Sequence, residues 1–594
     1  MTHELTASGL ASASSNPTTS GGWWRDAVIY QVYVRSFADG DGDGIGDLRG
    51  VRERLPHLAR LGVDAVWLTP FYVSPQADGG YDVADYRAVD PLFGDLSDAD
   101  DLVRAAHALG LRVIVDVVPN HTSEQHPWFR EALAAGPGSP ARERYLFRPG
   151  RGADGGRPPN DWESVFGGPA WTRVPDGDWY LHLFAPEQPD LDWEHPEVAA
   201  EFASVLRFWL DLGVDGFRID VAHGMVKAPG LPDIGRGAQA TLIGTEPLPF
   251  FDQDGVHEIH RSWRRLLDSY GGERIGVAEA WAPTSERLAL YVRPDELHQA
   301  FNFRFLNCPW DPAAMRTVID ESLAATASVG APTTWVLSNH DVVRHVTRYG
   351  GGPRGLARAR AAALLMLALP GSAYVYQGEE LGLPEVTDLP DEARRDPAFR
   401  RGRIPRQAGS PASAPGSGEA ADAEATGQDG LRDGCRIPLP WCGEEPPYGF
   451  GGAGSWLPQP GDWAGLSVAA QTGDPHSTLE LYRAALELRR AMPGLGAPEA
   501  GRCATDAPPA PADTAAAEVP GARTPGAAPS GMEWLPAPDG VLLFTRPGFA
   551  CTVNTGSEPV ELPAPGRPVL SSSPVRTDGR TVLLPADSCT WWAI

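Results

Sequence analysis

Three acidic residues in this sequence stand where short apolar runs end. Asp220, Glu279 and Asp341 each close or directly follow a segment rich in β-branched or aromatic residues. Such segments are typical of buried strands. If the strands are parallel, their carboxyl ends bring the three carboxylates to one edge of the sheet, where a barrel carries its chemistry. Carboxylates that share one pocket suit nucleophilic and acid/base attack on a glycosidic bond.

An isolated acid at a strand end is more often a cap or a salt-bridge partner than a catalyst. Here the three acids are accompanied by His121 and His340, which also stand at strand ends. Five such residues at successive strand ends favour one shared site over a series of separate caps.

The neighbours of two acids indicate separate roles for them. Arg218 lies two positions before Asp220, so both side chains leave the strand on the same face. The arginine should lower the pKa of Asp220 and keep it ionised, as a nucleophile requires. Glu279 lies between an apolar run and Trp281, and partial desolvation would let it keep its proton and act as a general acid. A carboxyl separation of about 5–5.5 Å would give retention of configuration, and a wider one inversion.

The segment Asp39-Gly-Asp-Gly-Asp-Gly-Ile-Gly-Asp47 alternates carboxylates with glycines. Oxygen ligands at every second position, on a backbone that can wrap tightly, are typical of a calcium loop. We predict a structural Ca²⁺ or Mg²⁺ there and no organic cofactor. The pattern is not an EF-hand, because no glutamate closes a twelve-residue loop. The alternative is a solvated acidic turn.

Asp78 and Tyr81 follow the second apolar run and offer a carboxylate and an aromatic ring. Carboxylates bind sugar hydroxyls, and rings stack on the C–H faces of sugars. Aromatic residues also crowd positions 162–184, where most of them should form a small core. Among these we select only Phe166 as a substrate-binding residue.

Eight apolar runs supply the predicted strands, and amphipathic helical stretches separate most of them. The runs are 28–34, 65–69, 112–118, 216–220, 275–278, 299–302, 334–337 and 373–376. Strand–helix alternation predicts a parallel α/β architecture, and eight rounds predict a closed (β/α)₈ TIM barrel.

Longer segments interrupt and follow the predicted barrel. Residues 22–119 and 190–492 should form the barrel, with a small domain, 120–189, inserted after the third strand. Residues 493–594 should form a C-terminal antiparallel β-sandwich. Residues 405–428 are rich in Pro, Ala, Gly and Ser, which predicts a disordered insert.

The composition fits a protein that acts on a neutral small molecule. The chain has 594 residues, and 77 acidic against 50 basic side chains give it a formal charge of −27. Nucleic acid and anionic membranes would be repelled at that charge. Residues 1–21, predicted to be a disordered tail, lack the basic start and apolar run of a signal peptide. The six cysteines show no CxxC spacing, so we expect free thiols and a cytoplasmic location.

Together the sequence motifs around these residues resemble those of the α-amylase family of glycoside hydrolases, and within it the α-glucosidase and oligo-1,6-glucosidase group. The resemblance covers roughly residues 22–492. Four signature strings occur in family-like order: Asp116-Val-Val-Pro-Asn-His121, Gly216-Phe-Arg-Ile-Asp220, Ala278-Glu279-Ala-Trp and Ser338-Asn-His-Asp341. The string Gln188-Pro-Asp-Leu-Asp192 is close to a fifth signature, and it favours the oligosaccharide-acting members.

The resemblance implies that Asp220 is the nucleophile, Glu279 the general acid/base, and Asp341 a residue that stabilises the transition state. An ion pair between Asp78 and Arg432 would close the end of the pocket, so that single glucose units are released. The other residues predicted to bind substrate or to orient the site are Tyr81, His121, Phe166, Gln188, Arg218, His340 and Arg436. The implied metal ligands are Asp39, Asp41, Asp43, Ile45 through its carbonyl, and Asp47.

Linkage preference and the balance between hydrolysis and transfer stay open. In this family a valine after the nucleophile often accompanies α-1,6 action, but Val221 is followed by Ala-His-Gly, which matches neither common pattern. We expect an exo-acting, retaining α-glucosidase, monomer or homodimer, on maltose-like or isomaltose-like oligosaccharides. A transglucosylase or sugar isomerase would use the same acids. A non-catalytic binding scaffold is a remoter alternative, and the intact trio of acids argues against it.

Overall fold

The structure is a computed structural model that describes residues 22–401, 431–452, 454–492, 495 and 531–594. The predicted tail 1–21 and the predicted insert 405–428 lie outside the described residues. Within the described part of the chain, no helix combines the length and apolarity needed to span a bilayer.

Eight parallel strands form one sheet at the centre of the molecule. They are β1 Val28–Val32, β2 Ala65–Leu68, β3 Arg112–Val117, β4 Gly216–Ile219, β5 Ile275–Ala278, β6 Gln299–Ala300, β7 Thr334–Val336 and β8 Ser372–Tyr376. Their hydrogen-bonded order is β6-β5-β4-β3-β2-β1-β8-β7. A parallel bridge between Phe301 and Thr334 joins β6 to β7 and closes the sheet. The predicted (β/α)₈ barrel is confirmed.

The barrel strands are buried on both faces, which explains why their sequences are nearly continuous apolar runs. Each strand begins and ends within two residues of a predicted run. The shortest is β6, because a helix starts immediately after it. The side chain of Asn302 accepts the N–H of Phe305 and caps that helix.

Helices surround the sheet. The longer ones around the barrel are Leu48–Leu61, Leu96–Ala108, Pro196–Leu212, Val256–Asp268, Pro312–Ser328, Gly352–Ala368 and Thr478–Ala491. Shorter ones are Ser285–Leu290, Phe303–Leu306, His345–Arg348, Pro397–Arg400 and Val468–Gln471. Helix Pro196–Leu212 has proline in its first turn, buries Phe202 and Trp209, and ends at Gly213, whose φ of 114° suits glycine.

A small segment inserted after β3 covers part of the barrel mouth. Its strands Phe147–Pro149, Asp178–Leu181 and Trp171–Arg173 form a three-stranded antiparallel sheet, and helix Pro127–Ala135 precedes them. Trp162 and Trp171 belong to its apolar core. A second small sheet, made of Tyr72–Val73 and Asp85–Val89, follows β2.

The C-terminal strands form two antiparallel sheets with an apolar core between them. The five-stranded sheet contains, in order, Glu533–Trp534, Val541–Arg546, Phe549–Asn554, Ser588–Ala593 and Arg567–Ser571. The three-stranded sheet contains Val560–Pro563, Thr581–Leu584 and Arg576–Thr577. The indole N–H of Trp591 donates to the carbonyl of Leu364 at 3.0 Å and fixes this domain on the barrel. The predicted C-terminal β-sandwich is confirmed.

A buried carboxyl group lies just beyond β8. Glu379 accepts the hydroxyl of Tyr482 at 2.8 Å, and within the described residues no arginine or lysine forms an ion pair with it. Burial raises the pKa of Glu379 to about 8. The folded state keeps the proton of Glu379 up to about pH 8, whereas the unfolded chain releases it near pH 4.5. The contribution of this group to the free energy of unfolding is therefore fully present below pH 4.5. The contribution is lost as the pH rises toward 8.

We expect Glu379→Gln to reduce the pH dependence of folding stability, since glutamine keeps a hydrogen-bonding group without an ionisable proton. Between pH 6 and pH 8 the thermal midpoint of the parent should fall by on the order of 2 °C more than that of the variant. Calorimetry at both pH values measures the difference. Glu487→Gln, at an exposed position, is the control and should follow the parent. Equal slopes for all three proteins would contradict the assignment.

Candidate active site

One buried arginine holds the carboxylates at the carboxyl ends of three neighbouring strands. Arg218, on β4, is 2% exposed. Its Nη1 lies 2.9 Å from Asp116 Oδ1 and 2.5 Å from Asp220 Oδ1. Its Nη2 lies 3.0 Å from Glu279 Oε2. The register of β3 with β4 places Asp116 beside Arg218, so the acids converge on a single guanidinium from β3, β4 and β5.

The carboxylates around Arg218 outnumber its single positive charge. Burial raises the pKa of Asp220 well above its ordinary value, Arg218 opposes that rise, and Glu279 and Asp116 add to it. Burial also raises the pKa of Asp116 to about 6. From sequence we expected Arg218 to dominate and to lower the pKa of Asp220. In the structure the cost of burying several like charges outweighs one cation, so the set holds a proton more tightly than separate acids would.

Glu279 is surrounded by hydrogen-bond donors. Its Oε2 accepts the N–H of Val221 at 2.8 Å, and its Oε1 accepts the indole N–H of Trp281 at 3.2 Å. Val221 has a φ of 45°, an unusual conformation for a β-branched residue. The apolar run before Glu279 stays within β5, so donors, and not the expected hydrocarbon, contact the carboxyl group.

Asp341, in the loop after β7, lies among cations. Its Oδ1 accepts from Arg436 Nη2 at 2.7 Å and from Arg432 Nη1 at 3.3 Å, and its Oδ2 lies 3.2 Å from His340 Nε2. Burial alone would raise the pKa of Asp341, but His340 and the two arginines hold it below its ordinary value. Asp341 is therefore ionised. The ring of His340 stacks on Tyr81 with centroids 5.3 Å apart.

An ion pair forms another part of the pocket wall. Arg432 Nη2 lies 2.6 Å from Asp78 Oδ1, and the guanidinium lies over the ring of Phe166 at 4.8 Å. Gln188 donates to Asp78 Oδ2 at 3.3 Å, and its Nε2 lies 3.0 Å from His121 Nε2. Burial lowers the pKa of His121 to about 4, so its ring is neutral.

A pocket of about 230 Å³ lies over these groups. Its lining consists of Asp78, Tyr81, His121, Val165, Phe166, Phe184, Gln188, Asp220, Val221, His223, Ala240, Ile243, Phe251, Glu279, Trp281, Asp341 and Arg432. All residues predicted to be catalytic or substrate-binding are among them except Arg218, His340 and Arg436. Those three contact the lining carboxylates from behind.

Sequence reasoning missed Asp396, which holds Arg432 in place. Asp396 is 1% exposed, and its Oδ2 accepts the backbone N–H of Arg432 at 2.6 Å and its Nε at 3.1 Å. The only local signal is Asp-Pro, because Asp396 also caps helix Pro397–Arg400. That capping pattern does not predict a partner 36 positions away.

The apolar part of the lining was also missed. Phe184, Ile243 and Phe251 look like core residues in the sequence, yet they line the pocket. His223 lines it too, and its ring lies 4.3 Å from that of Phe251. The unusual His-Gly string after Asp220 was the available signal for His223.

Lys227 connects the loop of Asp220 to the inserted segment. It is the only lysine in the sequence, and its side chain is 4% exposed. Its Nζ lies 2.8 Å from Asp190 Oδ2 and 2.9 Å from Asn120 Oδ1, and it also donates to the carbonyl of Gly224. Three chain segments at the barrel mouth are thus held by one buried cation.

The glycine-rich acidic loop lies apart from the pocket. Asp39, Asp41 and Asp47 each place a carboxylate oxygen within 4.8 Å of the other two. Asp43 accepts the N–H of Ile45 at 2.8 Å. Asp47 Oδ2 accepts the N–H of Asp41 at 3.0 Å, which tightens the loop. The converging atoms are all carboxylate oxygens, a donor set suited to a hard cation.

A closed (β/α)₈ barrel with paired acids beyond β4 and β5, and a third beyond β7, has the fold and site of a barrel glycoside hydrolase. The α-amylase catalytic-domain family matches residues 31–496. The chain belongs to this family, and the predicted resemblance is confirmed.

Its relatives include glucosidases and glucosyl-transferring proteins. It is 35% identical to an oligo-1,6-glucosidase of Parageobacillus thermoglucosidasius over 79% of this chain and 84% of that protein. It is 37% identical to a probable α-glucosidase of Rhizobium meliloti (strain 1021), over 80% and 83%. The solved trehalulose synthase MutB of Pseudomonas mesoacidophila MX-45 has a TM-score of 0.81 at 29% identity, covering 97% of this chain and 100% of that one. A solved α-glucosyl transfer enzyme has a TM-score of 0.78 at 33% identity, covering 96% and 99%.

We expect Arg218→Met to destabilise the fold by about 3–5 kcal/mol at pH 7, because it leaves buried carboxylates without their cation. The loss should be smaller at pH 5, where protonation of those acids removes the repulsion. Urea denaturation at both pH values measures it. Arg207→Met, at an exposed position of helix Pro196–Leu212, should cost less than about 0.5 kcal/mol. Similar losses in both variants would show that Arg218 does not neutralise the site.

Proposed function

We propose that the protein is a retaining, exo-acting α-glucosidase. It would release α-glucose from the non-reducing end of short α-glucosides, with maltose and maltooligosaccharides as the first substrates and isomaltose-type sugars as the second. The observation that carries the proposal is the contact of one guanidinium with both Asp220 and Glu279 at the base of the pocket. That contact holds a nucleophile and an acid/base side by side, as double displacement requires.

In the first step Asp220 attacks C1 of the glucose unit while Glu279 donates its proton to the departing oxygen. In the second step Glu279 takes a proton from water, and the water attacks C1 and frees Asp220. The first step needs charge on Asp220 and a proton on Glu279. Arg218 favours the charged form of Asp220, because its guanidinium lies 2.5 Å from that carboxylate. The hydrogen bonds from Val221 and Trp281 keep the Glu279 carboxyl in one orientation.

Two other groups support this chemistry. Asp341, ionised by its arginines, would bind two hydroxyls of the glucose unit and stabilise positive charge that develops at C1. The ion pair of Asp78 with Arg432 would close the non-reducing end of the pocket. A closed end would leave no room for a second sugar there, and this supports the release of single glucose units.

Glucosyl transfer is a second candidate function. The similarity to a trehalulose synthase and to an α-glucosyl transfer enzyme over 96–97% of the chain favours it. Phe184, Ile243 and Phe251 give the pocket an apolar lining, which limits the access of water. An acceptor hydroxyl would then take the place of water in the second step.

The protein should release glucose from maltose, maltotriose or isomaltose, and the first product seen by NMR should be the α-anomer. Asp220→Asn should lower kcat by at least about 10³-fold, while Asp211→Asn, an exposed control, should keep the parental rate. Burial raises the pKa of Asp220, so kcat/KM should fall on the acidic side at a pH well above 4. New disaccharides from sucrose or maltose would favour transfer, and no turnover of any sugar would contradict both functions.

We also propose that Ca²⁺ or Mg²⁺ binds the acidic loop through Asp39, Asp41, Asp43, Asp47 and the carbonyl of Ile45. The convergence of three of these carboxylates supports the proposal. Such an ion would neutralise a concentrated negative charge and fix the loop against the neighbouring segment, where Asp39 donates its N–H to the carbonyl of Phe450. Its role would be structural.

Saturating Ca²⁺ should stabilise the protein by about 2–3 kcal/mol when its concentration is about a hundredfold above the Kd. A thermal shift with Ca²⁺, compared with a chelator, measures this. Asp39→Asn combined with Asp41→Asn should abolish the response, and Asp154→Asn, in another exposed glycine-rich turn, should retain it. An identical midpoint for the parent under both conditions would rule out the ion.

We further propose a cytoplasmic location and a neutral oligosaccharide as the partner, with the chain acting as a monomer or homodimer. The scattered cysteines support the first point, and the formal charge of −27 supports the second.

A further inference from the structure

A second cavity adjoins the active-site pocket. It has a volume of about 440 Å³ and lies between the loop after β5 and the helices Phe303–Leu306 and Pro312–Ser328. Trp281 and Ile243 line both this cavity and the active-site pocket. These two side chains therefore form part of the wall of both spaces.

The chemistry of this second cavity differs from that of the active-site pocket. Leu288, Phe303 and Val318 are among its apolar lining residues. Among the described lining residues the only charged one is Arg304, which forms an ion pair with Glu321 at 2.7 Å. No carboxylate belongs to that lining, whereas Asp78, Asp220, Glu279 and Asp341 all line the active-site pocket. Thr245, Thr284, Asn307 and Thr317 also line the cavity, but apart from these and Arg304 its lining side chains are apolar. Sugar hydroxyls need several polar partners when they are buried, so this mostly apolar lining suits hydrocarbon better than another sugar unit.

The second cavity lies in the direction of the leaving group. Trp281 donates its indole N–H to Glu279 Oε1 at 3.2 Å, and Glu279 is the acid that protonates the glycosidic oxygen in the proposed function. The group attached to that oxygen thus lies next to Trp281. The ring of Trp281 stacks on Phe303 with centroids 4.0 Å apart and planes 12° from parallel. This pair forms an aromatic surface in the lining of the cavity.

We propose that the second cavity is an aglycone site for α-glucosides of apolar alcohols, such as long-chain alkyl or extended aryl α-glucosides. The proposal rests on the α-glucosidase function above and names a substrate class for it. The reaction needs no additional reagent. The bond from C1 to the aglycone oxygen breaks as Asp220 bonds to C1, and Glu279 gives its proton to the departing alcohol. Water then displaces Asp220 from C1 and returns a proton to Glu279.

The expected signature is a dependence of kcat/KM on the length of the aglycone chain. A methyl group ends inside the active-site pocket, whereas a longer chain passes Trp281 and becomes buried in the second cavity. Each fully buried methylene group raises kcat/KM by up to about fourfold. We expect octyl α-glucoside, kept below its micelle concentration, to exceed methyl α-glucoside at least about tenfold.

Two alanines on one helix offer a matched pair of variants. Ala314 lines the second cavity, and its neighbour Ala313 is exposed and does not line it. Ala314→Phe should lower kcat/KM for octyl α-glucoside at least about fivefold and leave methyl α-glucoside and maltose unchanged. Ala313→Phe should change none of the three. Thr317→Trp fills the same cavity from an exposed position, so it tests the proposal even if Ala314→Phe does not fold.

The outcomes separate the aglycone site from the proposed function. Equal kcat/KM for octyl and methyl α-glucoside in the parent would overturn the aglycone site, as would equal losses in Ala313→Phe and Ala314→Phe. If maltose and methyl α-glucoside are not cleaved at all, the α-glucosidase function fails. The aglycone site is then decided by calorimetric binding of octyl α-glucoside to the parent, Ala313→Phe and Thr317→Trp. Weaker binding by Thr317→Trp alone supports the site, and equal binding by all three overturns it.

Discussion

The burial of a guanidinium beneath carboxylates from three strands is the constraint on which this site depends. Arg218 loses its water on folding and regains partners only if Asp116, Asp220 and Glu279 reach it from β3, β4 and β5. Breaking such a buried set is far more costly than breaking a surface ion pair. The charge balance of the site therefore requires a fixed register among three neighbouring barrel strands. A shift of one strand would turn its acid away from Arg218.

The pKa values of the carboxyl groups at this site shift in opposite directions, according to the charges around each group. At the base, several acids share Arg218, and burial raises the pKa values of Asp116 and Asp220. In the wall, Asp341 contacts Arg436 and also Arg432, which pairs with Asp78 and Asp396 as well, and its pKa is lowered. Environments that separate the pKa values of like groups allow one carboxyl to carry a proton while another carries charge. The arginines thus keep Asp341 charged, whereas the acids at the base share a single cation.

The local parts of this architecture could be predicted from sequence, and the long-range parts could not. Strands buried on both faces leave continuous apolar runs, so all eight were located, and the acids at their ends marked the pocket. The pKa of Asp220 was predicted in the wrong direction, because adjacency to Arg218 is visible in sequence but the burial of Asp116 and Glu279 around it is not. Asp396 was missed for a similar reason. Its bond to Arg432 spans 36 positions, and its local pattern indicates only a helix cap.

The burial of Lys227 has a consequence for the chemistry of the whole molecular surface. Because the chain has a single lysine, and that lysine is enclosed between Asp190 and Asn120, no lysine amine faces the solvent. Aldehydes of reducing sugars condense with free amines, and glucose is such an aldehyde. Because the fold shields its one lysine amine from these aldehydes, glycation of Lys227 by the proposed product should be slow. The same feature would protect Lys227 from amine-reactive dyes and cross-linkers in the folded protein.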